Sequence, residues 1–497
     1  MLMGTGTPAP GATPPAVRDR GAWAPRLGPA DGARALEAAR LIARRVTSPP
    51  RVRAALELAA RQTAFPGSVH WDPVSLAQGD TGQALLCAQL HRCFPAEGWD
   101  RTGHAHLARA AAALERRGGA PPGVFGGLSG VAFCAAVLGE GRNYRRLRQV
   151  LDGRIAAASL SGAAALRGRD GVPVSSFDLI SGLSGVATHL LPAGAQRPAH
   201  PALAPVLRAL TGLALADATP AEATAGHLTP DDLTPDHLTP GDGAGGDVTP
   251  GDGRPPPAWH TPAALLHDPE QARAYPFGNL NCGLAHGIPG PLAVMAVAAR
   301  AGVEAEGLRA AVRELARWLL AHRADDAAGP NWPDAVPLVD GGRGLRAGRA
   351  RHPTRSAWCY GSPGIARALW LAGSALGDDG LCDTAVRAME AVYRRPVRER
   401  RIDSPTFCHG VAGLLQVTLR FAEDTALPVF TEAAADLTGQ ILAHVDPARP
   451  MGIAAVEPTG NLVDQPGFLD GAAGVALVLL AAATDREPVW DRAVALS

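Results

Sequence analysis

Cys359 and Cys408 are two of only seven cysteines, and each stands two residues ahead of a Gly-x-x-Gly, in WCYGSPG and FCHGVAG. His409 follows Cys408 directly. Two thiols and an imidazole form a ligand set that zinc takes in tetrahedral geometry, and three protein donors leave a fourth position open, as catalytic sites do. Two small buried cysteines beside a surface histidine would look the same in isolation. The matching register of the two thiols favours the metal. Adjacent Cys and His cannot both point inward from a regular helix, so the pair belongs on a turn that precedes one.

Other residues near such glycines could move protons. His286, in NLNCGLAHGIPG, directly precedes a repeat glycine; it suits proton transfer at neutral pH, or it packs or caps. Cys282, four residues earlier, poses a rival Cys–His nucleophilic pair, but no third orienting residue is evident. Asp178, in SFDLISGLSG, is a carboxylate in an apolar stretch. If buried it needs a partner, for which His286 and Arg355 are available; otherwise it caps a helix. Arg355, four residues before Cys359, could reach a developing anion or form an exposed ion pair. Tyr360, one of four tyrosines, either joins the site or packs. Cys87, Cys93, Cys134 and Cys382 fall in helical runs and read as core.

These residues must be positioned by a repeat, because Gly-x-x-Gly before an apolar run occurs seven times, beginning at Gly79, Gly127, Gly182, Gly287, Gly361, Gly410 and Gly471. Each copy opens a run apolar nearly all round, as in a helix buried by neighbours. Spacings near 50 to 60 residues, where nothing is inserted, leave room for a helical hairpin. The stretch AEGLRAAVRELARWLLAHR (Ala305 to Arg323) has the amphipathic period of an outer partner. Nothing reads as a set of paired strands. Seven hairpins whose inner helices begin alike close into an all-α, α/α toroid, with the seven glycine turns gathered at one end. Cys359 and Cys408 then sit at equivalent points of neighbouring repeats.

Composition sets outer limits. Apolar content of 46% with 19% charged residues fits an ordinary globular protein. All 47 basic residues are arginine, which reads as the codon bias of a GC-rich bacterium, and 47 acidic residues bring the net charge to zero. Neutrality argues against nucleic acid or an anionic membrane as a partner reached by bulk electrostatics. The N-terminus lacks a basic region followed by an apolar core. The longest apolar stretch, GAAGVALVLLAAA, is too short to span a bilayer. A cytoplasmic protein is expected, whose cysteines are thiols or metal ligands rather than disulfides. Residues 1–28 are expected to be disordered, and 29–497 to form the toroid domain. A degenerate L-T-P-D repeat makes about 218–258 a flexible insertion; His227 and His237 within it read as solvated linker.

The ordered set SFDLISGLSG, GLAHGIPGPLAV, SAWCYGSPG, CHGVAG and GFLDGAAGVAL, together with the seven glycine motifs, resembles the lanthionine synthetase C-like family over about residues 60 to 485. The resemblance implies an α/α toroid with zinc at one end. It places Cys359, Cys408 and His409 at the metal ligands, and His286, Asp178, Arg355 and Tyr360 around the active site. It implies a cyclase acting on a dehydrated Ser/Thr/Cys-rich precursor peptide, and a chain too short to carry the dehydratase or kinase modules of the fused synthetases is expected to be free-standing, of the class I type. Cysteine thiols would add to dehydroalanine or dehydrobutyrine to form (methyl)lanthionine rings. A shared pathway extends the expectation to association with the dehydratase and exporter, peripheral to a membrane-bound complex. The alternative is a non-catalytic zinc toroid that binds glutathione or a peptide. Other toroid enzymes fit less well: prenyl transferases favour Asp among the zinc ligands. Glycosidases need paired carboxylates at the ring mouth, and only Asp80 and Asp470 flank the repeat glycines.

Overall fold

The computed structural model describes residues 22–192, 199–216, 255–266, 268–342, 344–348 and 354–497. Residues 1–21 and 217–254, on which the readings of a disordered terminus and a flexible insertion largely fall, lie outside the described residues. Disorder as far as residue 28 is not what the described part shows. Trp23 is buried and its indole N–H donates to the Ala481 carbonyl, because the ring finds a place on the last inner helix.

The glycine motif works by steric permission. In each copy the chain doubles back so tightly that the second glycine lies against the carbonyl three residues before the first. A methyl at Gly413 would overlap the Phe407 carbonyl and meet Trp358 Cβ at 3.0 Å. Gly413→Ala is therefore expected to lose on the order of 3 kcal/mol of stability. Urea unfolding checks this, and an unchanged midpoint would contradict it.

After each turn runs a helix buried on all sides. In chain order these inner helices are Asp80–Cys93, Leu128–Leu138, Leu183–Leu190, Pro289–Arg300, Ser362–Leu376, Val411–Thr425 and Ala472–Ala483. Each packs on the next and the last packs on the first, closing the ring. Outer helices back them: Trp99–Arg117, Arg145–Leu166, Leu203–Leu215, Leu308–Ala321, Asp379–Arg394 and Pro428–Ala443. In Leu308–Ala321 the buried positions Leu308, Ala311, Val312, Leu315 and Leu319 keep helical spacing, so one stripe faces the inner ring.

The seventh hairpin is made differently. Among the described residues no outer helix follows Ala472–Ala483; its partner is Pro29–Val46, the first helix described. The C-terminal turn Val489–Val494 instead enters the ring. Asp491, fully buried, accepts from Arg420 and Gln416, the Trp358 indole donates to Val494, and Arg367 donates to Leu496. These donors lie on or beside the neighbouring inner helices Ser362–Leu376 and Val411–Thr425, and the turn also packs on Asp80–Cys93, Leu128–Leu138 and Leu183–Leu190, so it fills the lumen.

Paired strands, not expected from the sequence, do occur. Asn279–Asn281, Ala335–Asp340 and Leu345–Ala347 form an antiparallel sheet in that order, and Ala455–Val456 pairs with Leu462–Val463. The other strands are two or three residues long, and Ala335–Asp340, six residues with a proline inside, does not alternate between buried and exposed positions.

Candidate metal centre and active site

Main-chain hydrogen bonds stitch the glycine turns to one another. Leu179 N donates to Ala285 O, Ala285 N to Cys359 O, Cys359 N to Cys408 O, and Cys408 N to Leu469 O, at 3.1, 3.3, 3.2 and 2.8 Å. Phe468 N to Ala77 O and Leu76 N to Phe125 O carry the same pattern past the closure. Each accepting carbonyl belongs to the residue two before a repeat glycine, the register of both site cysteines. The residues immediately before the glycines of the last four repeats are His286, Tyr360, His409 and Asp470. One end of the ring therefore gathers them.

Cys359, Cys408 and His409 come together there, with one donor atom from each lying within 4.8 Å of the others. Around a tetrahedral zinc with bonds of about 2.0 to 2.3 Å, adjacent donors sit roughly 3.5 to 3.8 Å apart, a small contraction from this geometry. The Cys408 thiol is held well above the usual thiol range, first by its hydrogen bond with Cys359, then by burial and the charges of Cys359 and Asp470; Arg355 opposes these. Two sulfurs that compete for one proton are a donor set that a divalent cation would relieve, so these residues fit such an ion. His409 Nδ1 lies 3.4 Å from Asp470 Oδ1. Burial raises the Asp470 carboxyl pKa, against the pull of His409 and His70.

Beside this set stands a carboxylate–imidazole pair. His286 Nδ1 is 2.7 Å from Asp178 Oδ2. The other oxygen, Oδ1, accepts from the main-chain N–H groups of Ser181 and Gly182 at 2.8 and 2.7 Å. Asp178 thus both caps the turn before its inner helix and holds the histidine, combining two readings that the sequence left as alternatives. With Oδ1 taken by the two main-chain N–H groups, Oδ2 is the acceptor for Nδ1–H, which leaves Nε2 facing outward. Asp178 is 1% exposed while the His286 side chain is 40% exposed, so the buried group anchors and the open one can meet a substrate.

Tyr360 lies between the two groups. Its ring centroid is 6.4 Å from that of His286, and its hydroxyl accepts from Asn281 Nδ2 at 3.0 Å. Arg355 makes no hydrogen bond or ion pair among the described residues, but its charge reaches Cys408. The Cys282–His286 pair does not form: Cys282 is buried, bonds the Leu280 carbonyl, and has a thiol pKa pushed upward by burial. Cys87, Cys134 and Cys382 are buried in helices, and Cys93 is partly buried beside Thr484, as core positions should be. Nothing in the sequence marks Asn281, whereas Asp470 is visible there as a carboxylate beside a repeat glycine. Its register, one residue before that glycine, was the available signal.

An α/α toroid that carries a thiol–thiol–imidazole donor set and an Asp–His pair at one end is a narrow class of helical protein. The sequence profile of the lanthionine synthetase C-like proteins matches residues 70–229 and 261–495, and the chain belongs to that family. The nisin biosynthesis protein NisC of Lactococcus lactis subsp. lactis is 30% identical over 151 residues, which cover 30% of this chain and 35% of that protein's length. The structure of a nisin cyclase aligns with a TM-score of 0.66 over 90% of this chain and 97% of the other, at 20% identity, a likeness of fold. Among the described residues no helix is long and apolar enough to cross a membrane.

Proposed function

We propose that the chain is a zinc-dependent lanthipeptide cyclase. The observation that carries this reading is the meeting, at one end of the toroid, of the Cys359–Cys408–His409 donor set with the His286–Asp178 pair. The substrate is a precursor peptide holding cysteines together with dehydroalanine or dehydrobutyrine. The precursor's dehydratase and exporter are its expected partners, in the cytoplasm. Family membership and the likeness to a nisin biosynthesis protein and a nisin cyclase support the assignment.

Zinc, when bound by Cys359, Cys408 and His409, supplies the charge that keeps a peptide thiol ionised at neutral pH. His286 handles the proton through Nε2, with Nδ1 committed to Asp178: it takes the thiol proton or returns one to the substrate α-carbon. The sulfur joins the β-carbon, the C=C electron pair moves toward the neighbouring amide carbonyl, and protonation at the α-carbon completes the addition. No electrons are gained or lost overall. Arg355 and Tyr360 are the groups available to stabilise charge on that carbonyl oxygen.

Zinc K-edge absorption with and without a cysteine-containing peptide tests the reading. Two sulfurs per zinc should become three when the peptide is added. Two sulfurs unchanged would favour the binding-toroid alternative, and absence of zinc from metal-replete protein would overturn the site.

A further inference from the structure

The loop Asn281–Ala285, which leads from the small sheet to His286, straps the Cys359–Tyr360 turn of the next repeat. Its placement is fixed from three sides. Asn281 pairs with Ala335 in the sheet, and its carbonyl accepts from Ile288 N at 3.3 Å. Ala285 N holds the Cys359 carbonyl. Gly283 lies flat beneath the tyrosine, where a Cβ would meet ring carbons of Tyr360 at 2.5 and 2.6 Å and the Cys359 carbonyl at 2.8 Å.

The side-chain amide of Asn281 has one admissible orientation. Its Oδ1 accepts from Gly283 N–H at 2.9 Å, and its Nδ2 donates to Tyr360 Oη at 3.0 Å. A flipped amide would set its NH₂ against the Gly283 N–H, so the hydrogen-bond network excludes it. Tyr360 therefore receives a hydrogen bond from Asn281 and keeps its own hydroxyl proton for another acceptor. Among the described residues, Oη has no further hydrogen-bond partner. The residue before Tyr360 is a metal-site cysteine, and His286 stands across from its ring.

We infer that Asn281, seated by Gly283, is a positioning residue that makes Tyr360 a hydrogen-bond donor to the substrate, directed at the carbonyl oxygen of the dehydrated residue. This rests on the cyclase reading above. A preoriented donor in a partly desolvated site stabilises charge that develops there more than a hydroxyl free to rotate. A phenol free to donate to a main-chain carbonyl would have spent that proton on Asn281 had the amide been reversed.

Asn281→Asp tests the assignment with almost no change of shape. The introduced carboxylate still accepts from Gly283 N–H, but it also accepts the Tyr360 proton and turns it away from the substrate. With a defined dehydrated peptide, N281D should lower kcat at least about 10-fold, to the level of Y360F, with zinc content and KM little changed. The double variant should be no slower than Y360F alone. Wild-type kcat in N281D or in Y360F would overturn the role, as would an N281D loss that recurs in full in the Y360F background. If N281D does not accumulate as folded protein, Asn281→Ala removes the donor and is read by the same coupling to Y360F. If the wild-type protein forms no rings, the cyclase reading is what fails. The positioning role is then decided by the crystal structure of N281D. There the distance from the introduced carboxylate to Tyr360 Oη should contract to about 2.6 Å; a separation still near 3.0 Å would overturn it.

Discussion

Cys408→Ala is expected to abolish bound zinc and ring formation together, the largest effect anticipated for any single change. The sulfur is one of three donors within 4.8 Å, so its loss leaves Cys359 and His409 as a two-donor site. Structural and catalytic zinc sites almost always keep at least three protein ligands. Metal analysis should fall from one zinc per chain to background, and mass spectrometry of a dehydrated peptide treated with iodoacetamide should find every cysteine still reactive. The fold should survive, because Cys408 sits on a turn whose main-chain bonds to Cys359 and Leu469 do not involve the side chain. Full metal occupancy in the variant would remove Cys408 from the ligand set.

His286→Ala separates proton transfer from metal binding. The imidazole bonds Asp178 rather than the cysteines, so zinc should remain at the wild-type level. A positioned general acid–base group contributes about 10² to 10⁴ in rate, and turnover should fall by that range. Asp178→Asn should slow the reaction as well, since an amide N–H facing Nδ1 selects the other tautomer and takes the lone pair away from Nε2. That variant also tests the cap, because Asn can still accept from Ser181 and Gly182 through its oxygen. Unchanged ring formation in His286→Ala, with zinc retained, would refute the proton-transfer role. Zinc lost in the same variant would place His286 in the ligand set instead.

Much of this was legible along the chain because the repeat writes the same local problem seven times. Two glycines three apart mark a turn that no side chain can enter, and a wholly apolar run marks the helix behind it; both are short-range signals. Their register placed Cys359 and Cys408 at corresponding points of adjacent repeats with His409 next to Cys408, and the structure brings one donor atom of each within 4.8 Å of the others. It also placed His286 one residue before its glycine, facing the same end of the ring.

What the tertiary structure decided are pairings between distant residues that carry no local mark. Asp178 and His286 are 108 positions apart, and only the closed ring shows that the carboxylate serves both a main-chain turn and the imidazole. The seventh hairpin draws its outer helix from Pro29–Val46, which reads like any amphipathic segment until the ring returns to its start. Asn281 is an ordinary polar residue in a three-residue strand; its importance comes from Tyr360, 79 positions later, lying on Gly283. Periodicity and glycine spacing record the forces within one repeat. Which repeat meets which, and what each side chain then touches, is set by closure of the ring and burial of its lumen, and those are properties of the whole chain.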